Sequence, residues 1–346
     1  MPTAPRATCG RRRSGATSAV SRIAVLGAGA WGTALAAVLA PRHEVHLWAR
    51  DRAQAEVIAR ERRNSLYLPE IPLPESLVVG ADARAALEDA ALALVATTVS
   101  GLRETLGRTG TVPAVWLCKG FEAGSGLMPH QVAEQVLGAG ARFGALSGPS
   151  FALEVARGLP CALTLASSDA TFAREAAALI HGGRLRVYYG TDLVGVEVGG
   201  AVKNVMALAV GISDGLGLGQ NARAALITRG LAEIARLGAA LGARPETLMG
   251  LAGAGDLILT STGDLSRNRR VGLELAKGRA LQAVLAGLGH VAEGVRTAAE
   301  VAKLARSRGV EMPITETVVQ VLAGALAPQQ AVERLLARDA KAEGAA

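Results

Sequence analysis

The sequence predicts an α/β chain in which a parallel-sheet domain is followed by an all-α C-terminal domain. Two observations carry this. From Arg22 onward, short apolar runs alternate with longer Ala-rich segments of helical pattern, the alternation expected of βαβ units. After about Asp192 the strand signals cease, and Ala/Leu/Gly-rich helical patterns follow to the end. The 346 residues suit two domains on a prior of about 150 residues each. The expected division is a disordered basic extension over 1–20, a sheet domain over 21–191 and a helical substrate domain over 192–340.

Taken in order, strands are expected at 22–27, 44–50, 91–97, 114–120 and 143–148, with a further pair around 161–167 and 186–190. Each is a short run rich in β-branched or large apolar residues bounded by turn formers. The helical half is expected to break at 211–219, 242–246, 260–264 and 309–313, where Gly, Pro and Asp cluster.

Composition excludes several function classes. The net charge of +7 is partly terminal, because Arg6, Arg11, Arg12 and Arg13 fall in the first twenty residues. The remainder suits a small acidic ligand. No Lys/Arg run interleaved with aromatics suggests nucleic acid, and aromatics are only 3% of the chain. Cys9, Cys118 and Cys161 lack disulfide or metal-ligand spacing and the histidines are scattered, so a reducing cytoplasm and no structural metal are expected. An uncharged run from Ile23 to Pro41 behind "RRRSG" has the outline of a signal sequence or membrane anchor. Gly27, Gly29 and Gly32 interrupt it, and its first part reads as a strand, which argues against stable membrane insertion.

The glycine spacing carries chemistry. Gly27-x-Gly29-x-x-Gly32 lies between an expected strand and an expected helix, the context of a Rossmann-type dinucleotide-binding domain. Gly27 permits the turn, Gly29 lets a pyrophosphate approach the backbone, and Gly32 allows close helix–strand packing. The helix start then faces the phosphates with free N–H groups. At the end of the second strand Arg50 precedes Asp51. An arginine there accommodates the extra phosphate of NADP, and an acid there binds the ribose hydroxyls of NAD, so NADP(H) is preferred and NAD(H) stays open.

Two lysines stand out. The 37 basic residues comprise 32 arginines and five lysines, yet Lys203 lies in the apolar run "VKNVMALAV" and Lys119 in "VWLCKGFE". A guanidinium keeps its proton under almost all conditions, whereas a buried amine is tunable, so a lysine in apolar surroundings suits proton exchange. Pro149 and Ser150 mark a loop entering a helix. Ser266 is an expected N-cap with Arg267 and Asn268 in the first turn, a combination that would grip a phosphate dianion.

These motifs together resemble the bacterial NAD(P)-dependent glycerol-3-phosphate dehydrogenases. The resemblance runs from "RIAVLGAGAWGTALA" through "CKGFE", "SGPSFALEVARGLP", "GVEVGGAVKNVMALAVGISDGLGLGQ", "LAGAGDLILT", "SRNRR" and "VAEGVRTA" to "GVEMPITETVVQVL", nearly the whole chain after residue 21. It implies an N-terminal Rossmann domain joined to a helical domain, and interconversion of dihydroxyacetone phosphate and sn-glycerol 3-phosphate for phospholipid synthesis in the cytoplasm. By motif, Lys203 is the proton-transferring lysine with Asn204 beside it, and Lys119 reaches both cofactor and substrate. Gly148 and Ser150 line the substrate site, and Ala152 approaches the nicotinamide cofactor. Asp256 lies near the reacting end with Thr260 as neighbour. Ser266, Arg267 and Asn268 hold the substrate phosphate, while Arg267 also contacts the cofactor, as do Val291 and Glu293. Ala30 and Trp31 occupy the dinucleotide loop.

Two positions depart from the family pattern. Ala30 stands where many members have Ser, and Thr98 where Pro is usual, which puts the loop geometry near the nicotinamide in question. The partners expected are the small-molecule substrates, with no nucleic acid and with a homodimer left open. A β-hydroxyacid or 6-phosphogluconate dehydrogenase keeps the same fold with another substrate, but "SRNRR" together with "VKNV" argues against it. A catalytically silent dinucleotide sensor would have no need of Lys203 and Asp256.

Overall fold

The computed structural model describes residues 20–288 and 292–337. The expected extension (apart from Val20), the expected cofactor contact Val291 and residues 338–340 lie outside the described residues. In chain order the first half runs β1 (Arg22–Leu26), α1 (Ala30–Leu39), β2 (Glu44–Trp48), α2 (Arg52–Glu61), β3 (Arg63–Asn64), β4 (Leu68–Pro72), β5 (Val78–Gly80), α3 (Ala83–Leu87), β6 (Leu92–Val95), α4 (Val99–Thr109), β7 (Ala114–Trp116), α5 (Pro129–Leu137), β8 (Phe143–Ser147), α6 (Ala152–Ala156), β9 (Cys161–Ala166), α7 (Ala170–Ile180) and β10 (Leu185–Gly190). The described remainder is helical: α8 (Leu193–Gly215), α9 (Gly219–Ala240), α10 (Pro245–Met249), a π-helical turn (Leu251–Gly255), α11 (Asp256–Thr262), α12 (Arg267–Ala276), α13 (Leu281–Leu288), α14 (Glu293–Ser307), α15 (Pro313–Leu322) and α16 (Pro328–Leu336).

One sheet has the strand order β10-β9-β8-β7-β6-β1-β2-β5. Strands β6 and β7 are apolar at every position because both faces are covered. Val25, Leu94 and Val115 pack under α1, α2 and α7, while Leu26, Val95 and Trp116 face α3, α4 and α5. The chain leaves β1 toward β2 on one side and returns to β6 on the other, so a crevice opens between β1 and β6 at their carboxyl ends.

The expected parallel sheet has one antiparallel pair: β9 runs antiparallel to β8, with Leu146 opposite Leu165. A parallel return would require a crossover long enough to span the sheet. Here α6 packs beside α1 instead, and the chain re-enters from the end it left. The β3–β4 hairpin and β5 were not legible either. Two- and three-residue strands carry no periodicity, and Pro69 and Pro72 argue against a strand.

α8 forms the axis of the helical half and runs through the break expected at Gly211. Gly211 is a contact position: a Cβ there would stand 2.1 Å from the Arg269 carbonyl oxygen, and one at Gly272 would stand 2.3 Å from that of Leu208. The absent side chains let α8 and α12 meet backbone to backbone. Among the described residues, α8 alone is long and apolar enough to cross a membrane, and 94% of its apolar stretch is buried inside the protein.

Candidate active site

Of the residues expected to bind the dinucleotide, Gly27, Gly29, Ala30, Trp31, Gly32, Arg50 and Lys119 follow the carboxyl ends of parallel strands. Gly27, after β1, has φ +124°, and a Cβ on it would press to 2.8 Å from the Ala96 carbonyl oxygen. Gly32 is held against Gly27, with only 2.0 Å between its would-be Cβ and the Gly27 carbonyl oxygen. A Cβ added to Gly29 would meet nothing within 4 Å, so that side of the loop is open for a phosphate. Ala30 and Trp31 form the first turn of α1, where Ala30, Trp31 and Ala152 pack in one small cluster. After β2, Asp51 caps α2 by accepting from the Ala53 and Gln54 amides at 2.8 and 3.2 Å, whereas Arg50 is exposed.

Lys119 follows β7 at the same edge and reaches across to the helical half. Its Nζ donates to Asp256 Oδ2 at 2.5 Å and to the Gly148 carbonyl at 3.4 Å. The other carboxylate oxygen of Asp256 accepts from Lys203 Nζ at 2.7 Å, and Lys203 also donates to Thr260 Oγ1 at 2.7 Å. Lys203 and Asp256 are 7% and 1% exposed. Two ammoniums therefore share one buried carboxylate. Burial pulls the Lys203 amine down to about 8, against the attraction of Asp256 and with help from the Lys119 charge. Burial works to lift the Asp256 pKa, but the two lysines outweigh it and hold the group below the ordinary carboxylate value.

The local folding is specific. Asp256 opens α11 directly after the π-helical turn, which Gly199 of α8 admits: a Cβ at Gly199 would stand 2.6 Å from the Ala252 carbonyl oxygen. The adjacent Gly200 leaves room for the Lys119 stem, whose Cγ would lie 3.3 Å from a Cβ there. Sequence reading missed this pair of glycines, although two of them inside a Val/Ala helix are a signal of close approach.

The start of α12 closes the site. Ser266 is buried and caps the helix, its Oγ accepting from the Arg269 amide at 3.3 Å. Asn268 donates to Asn204 Oδ1 at 2.9 Å and accepts from the Gly294 amide at 3.0 Å, so α8, α12 and α14 are tied together at this point. Arg269 is spoken for by Asp214 and Asp264. Arg267 is exposed, and among the described residues no acceptor bonds its guanidinium. The partly buried Glu293 feels that charge: burial raises its pKa, and Arg267, Lys119 and Lys203 oppose the rise. Ser150 turns its hydroxyl onto the Gly148 carbonyl at 3.2 Å.

Two family models match, described as the NAD-dependent glycerol-3-phosphate dehydrogenase N-terminus over residues 22–173 and C-terminus over residues 192–333. The chain belongs to this family. A relative from Methylibium petroleiphilum, named glycerol-3-phosphate dehydrogenase (NAD(P)+), is 61% identical over 329 residues, spanning 93% of this chain and 98% of that protein. One from Aromatoleum aromaticum with the same name is 58% identical over 93% of this chain and 100% of its own length. The crystal structure of glycerol-3-phosphate dehydrogenase from Coxiella burnetii superposes with a TM-score of 0.87 at 42% identity, over 92% of this chain and 99% of that one.

As a member of the NAD-dependent glycerol-3-phosphate dehydrogenase family, the chain is an oxidoreductase that uses NAD(P). Its departure at Thr98 leaves the backbone as a proline would set it. Thr98 is the N-cap of α4 with φ −70°, within the range the pyrrolidine ring imposes. The Thr98 hydroxyl meets that of Ser100 at 2.9 Å. A cavity of about 830 Å³ between α8, α9, α15 and α16 contains none of the residues named above as site candidates.

Proposed function

We propose that the chain interconverts dihydroxyacetone phosphate and sn-glycerol 3-phosphate with NADP(H), NAD(H) serving less well, and supplies glycerol phosphate for phospholipid synthesis in the cytoplasm. Residues 21–191 hold the cofactor and residues 192–340 the substrate side. The observation that carries the reading is Lys203, a buried amine brought to about 8 and aimed by Asp256 and Thr260. When bound, the nicotinamide supplies the hydride. As the substrate carbonyl gains negative charge, the Lys203 ammonium stabilises it and delivers a proton to the oxygen; in the reverse direction the neutral amine takes that proton. Asp256 stays ionised between the two lysines and keeps both in place. Lys119, bridging the halves, faces cofactor and substrate together. Arg267 and the free amides of the first turn of α12 receive the substrate phosphate, with Ser266 and Asn268 shaping that turn. Gly148 and Ser150 complete the substrate wall, Asn204 orients Asn268, and Glu293 and Ala152 border the nicotinamide end.

The NADP preference rests on the division of labour at the end of β2, where Asp51 is occupied by helix capping and Arg50 is left exposed. A spectrophotometric assay of NADPH and NADH oxidation with dihydroxyacetone phosphate tests the reaction. Turnover with both cofactors, faster with NADPH, is expected. In Arg50→Ala, NADPH binding should weaken by about 1.5 to 3 kcal/mol, the scale of a charge-assisted hydrogen bond, with NADH nearly untouched. Equal losses would remove the preference, and no turnover with either cofactor would remove the reaction.

A further inference from the structure

The peptide joining Ala28 to Gly29 is clamped from outside the glycine loop. Asn64 of β3, 1% exposed, donates Nδ2 to the Ala28 carbonyl at 2.9 Å and to Thr33 Oγ1 at 2.8 Å. Gln54 of α2 adds a second donor to the same carbonyl at 3.2 Å. A carbonyl oxygen can only accept, so the amide nitrogen of Asn64 has to face it. The Asn64 oxygen is left buried with no partner among the described residues, an unfavourable arrangement that a purely apolar side chain would avoid. The clamp is the compensating feature.

A trans peptide places its C=O and N–H on opposite sides. Pinning the Ala28 oxygen toward Asn64 and Gln54 therefore aims the Gly29 N–H away from the hairpin. That N–H has no acceptor among the described residues, and Gly29 sits beside open space at the start of α1. Glycine opposes few backbone orientations, so an unclamped Ala28–Gly29 peptide would sample the flipped form and turn a carbonyl dipole on an incoming anion.

We propose that Asn64, assisted by Gln54, is a positioning residue for the cofactor pyrophosphate, holding the Ala28–Gly29 peptide with its N–H toward the phosphates. The inference rests on the dinucleotide reading of the glycine loop and adds a part from the β3–β4 hairpin.

The test uses Asn64→Asp, which keeps the shape but sets an oxygen against the Ala28 carbonyl, and Gln54→Met, which keeps the length of a half-buried helical side chain without the donor. Dissociation constants are measured for NADPH and for adenosine 2'-monophosphate, which carries the adenosine end but no pyrophosphate. Asn64→Asp should weaken NADPH about 10- to 100-fold and Gln54→Met by a smaller factor, the range of one lost strong hydrogen bond. Adenosine 2'-monophosphate binding, kcat at saturating NADPH and KM for dihydroxyacetone phosphate should change less than about 2-fold. Equal weakening of NADPH and the fragment would make Asn64 a staple of the domain only, and unchanged NADPH binding in both variants would overturn the proposal. If Asn64→Asp does not fold, Gln54→Met decides by the same ratio. Failure of the unaltered protein to bind NADPH or NADH would instead overturn the dinucleotide reading beneath it.

Discussion

Asp256 and Glu233 are two carboxylates of the helical half, each 1% exposed, yet their pKa values are shifted in opposite directions. Asp256 lies between Lys119 and Lys203 and is held below the ordinary carboxylate value. Glu233, on α9, accepts from the Ile314 and Thr315 amides at 2.6 and 3.1 Å and from the Thr315 hydroxyl at 2.9 Å, and burial pushes it up to about 7. Peptide dipoles only partly replace lost water, whereas two full charges more than replace it. The comparison separates a carboxylate held charged between two lysines from one that caps a helix. α15 begins Met312-Pro313, and its N-cap side chain makes no capping bond, so Glu233 serves those amides from a distance in sequence.

The largest effect is expected from breaking the Asp256 cluster at its working end. Lys203→Ala should fold and bind NADPH yet lose at least about 100-fold in kcat, the lower end for positioned acid–base catalysis. Lys203→Arg should fail nearly as badly, because a guanidinium keeps the charge but gives up no proton. Near-normal turnover by the arginine variant in steady-state assays would leave Lys203 an electrostatic role alone.

A second variant, Asp256→Asn, turns the cluster into two facing ammoniums without an anion. The pH profile is the sharper readout. Reduction of the ketone needs the ammonium, so its rate should fall as pH rises through about 8, and oxidation of the alcohol should rise over the same range. Without the carboxylate that favours its charge, Lys203 should titrate lower, moving the limb to lower pH and reducing kcat about 10-fold or more. An unmoved limb would mean that another group titrates.

The Glu233 side of the comparison should appear in stability and leave kcat unchanged. Its folded pKa, about 7, exceeds its ordinary value of 4.5, so between these values the native state binds more protons than the unfolded state. Stability from this group is therefore present below about 4.5 and is lost as pH rises toward 7, by up to about 3 kcal/mol. Glu233→Gln should flatten that part of the denaturation profile. Glu233→Ala strands the Ile314 and Thr315 amides and should cost about 1 to 3 kcal/mol in addition to losing that pH-dependent contribution. A Glu233→Gln profile parallel to the unaltered one would contradict the raised pKa.

Much of this contrast was hidden from the sequence. The glycine loop, the Ser266 cap and the isolation of Lys203 were legible because each is a local pattern: a spacing, a capping residue, a lone charge in an apolar run. Gly211 was misread as a break, since a glycine that ends a helix and one that admits a neighbouring helix look alike until the neighbour is present. The antiparallel turn into β9 depended on where α6 packs, and the Asn64 clamp on a hairpin with too few residues for a periodic signal.

By itself the sequence determined the strand–helix alternation, the all-helical second half and the residue types of the site, because short-range sterics and hydrophobic periodicity act within a few residues. Tertiary structure alone decided that Lys119, 137 residues from Asp256 along the chain, shares its carboxylate with Lys203. It also decided that Asp256 stays charged while Glu233 drifts toward neutrality. Those outcomes depend on the dielectric and the charges that other segments bring within bonding distance, and no local pattern contains them.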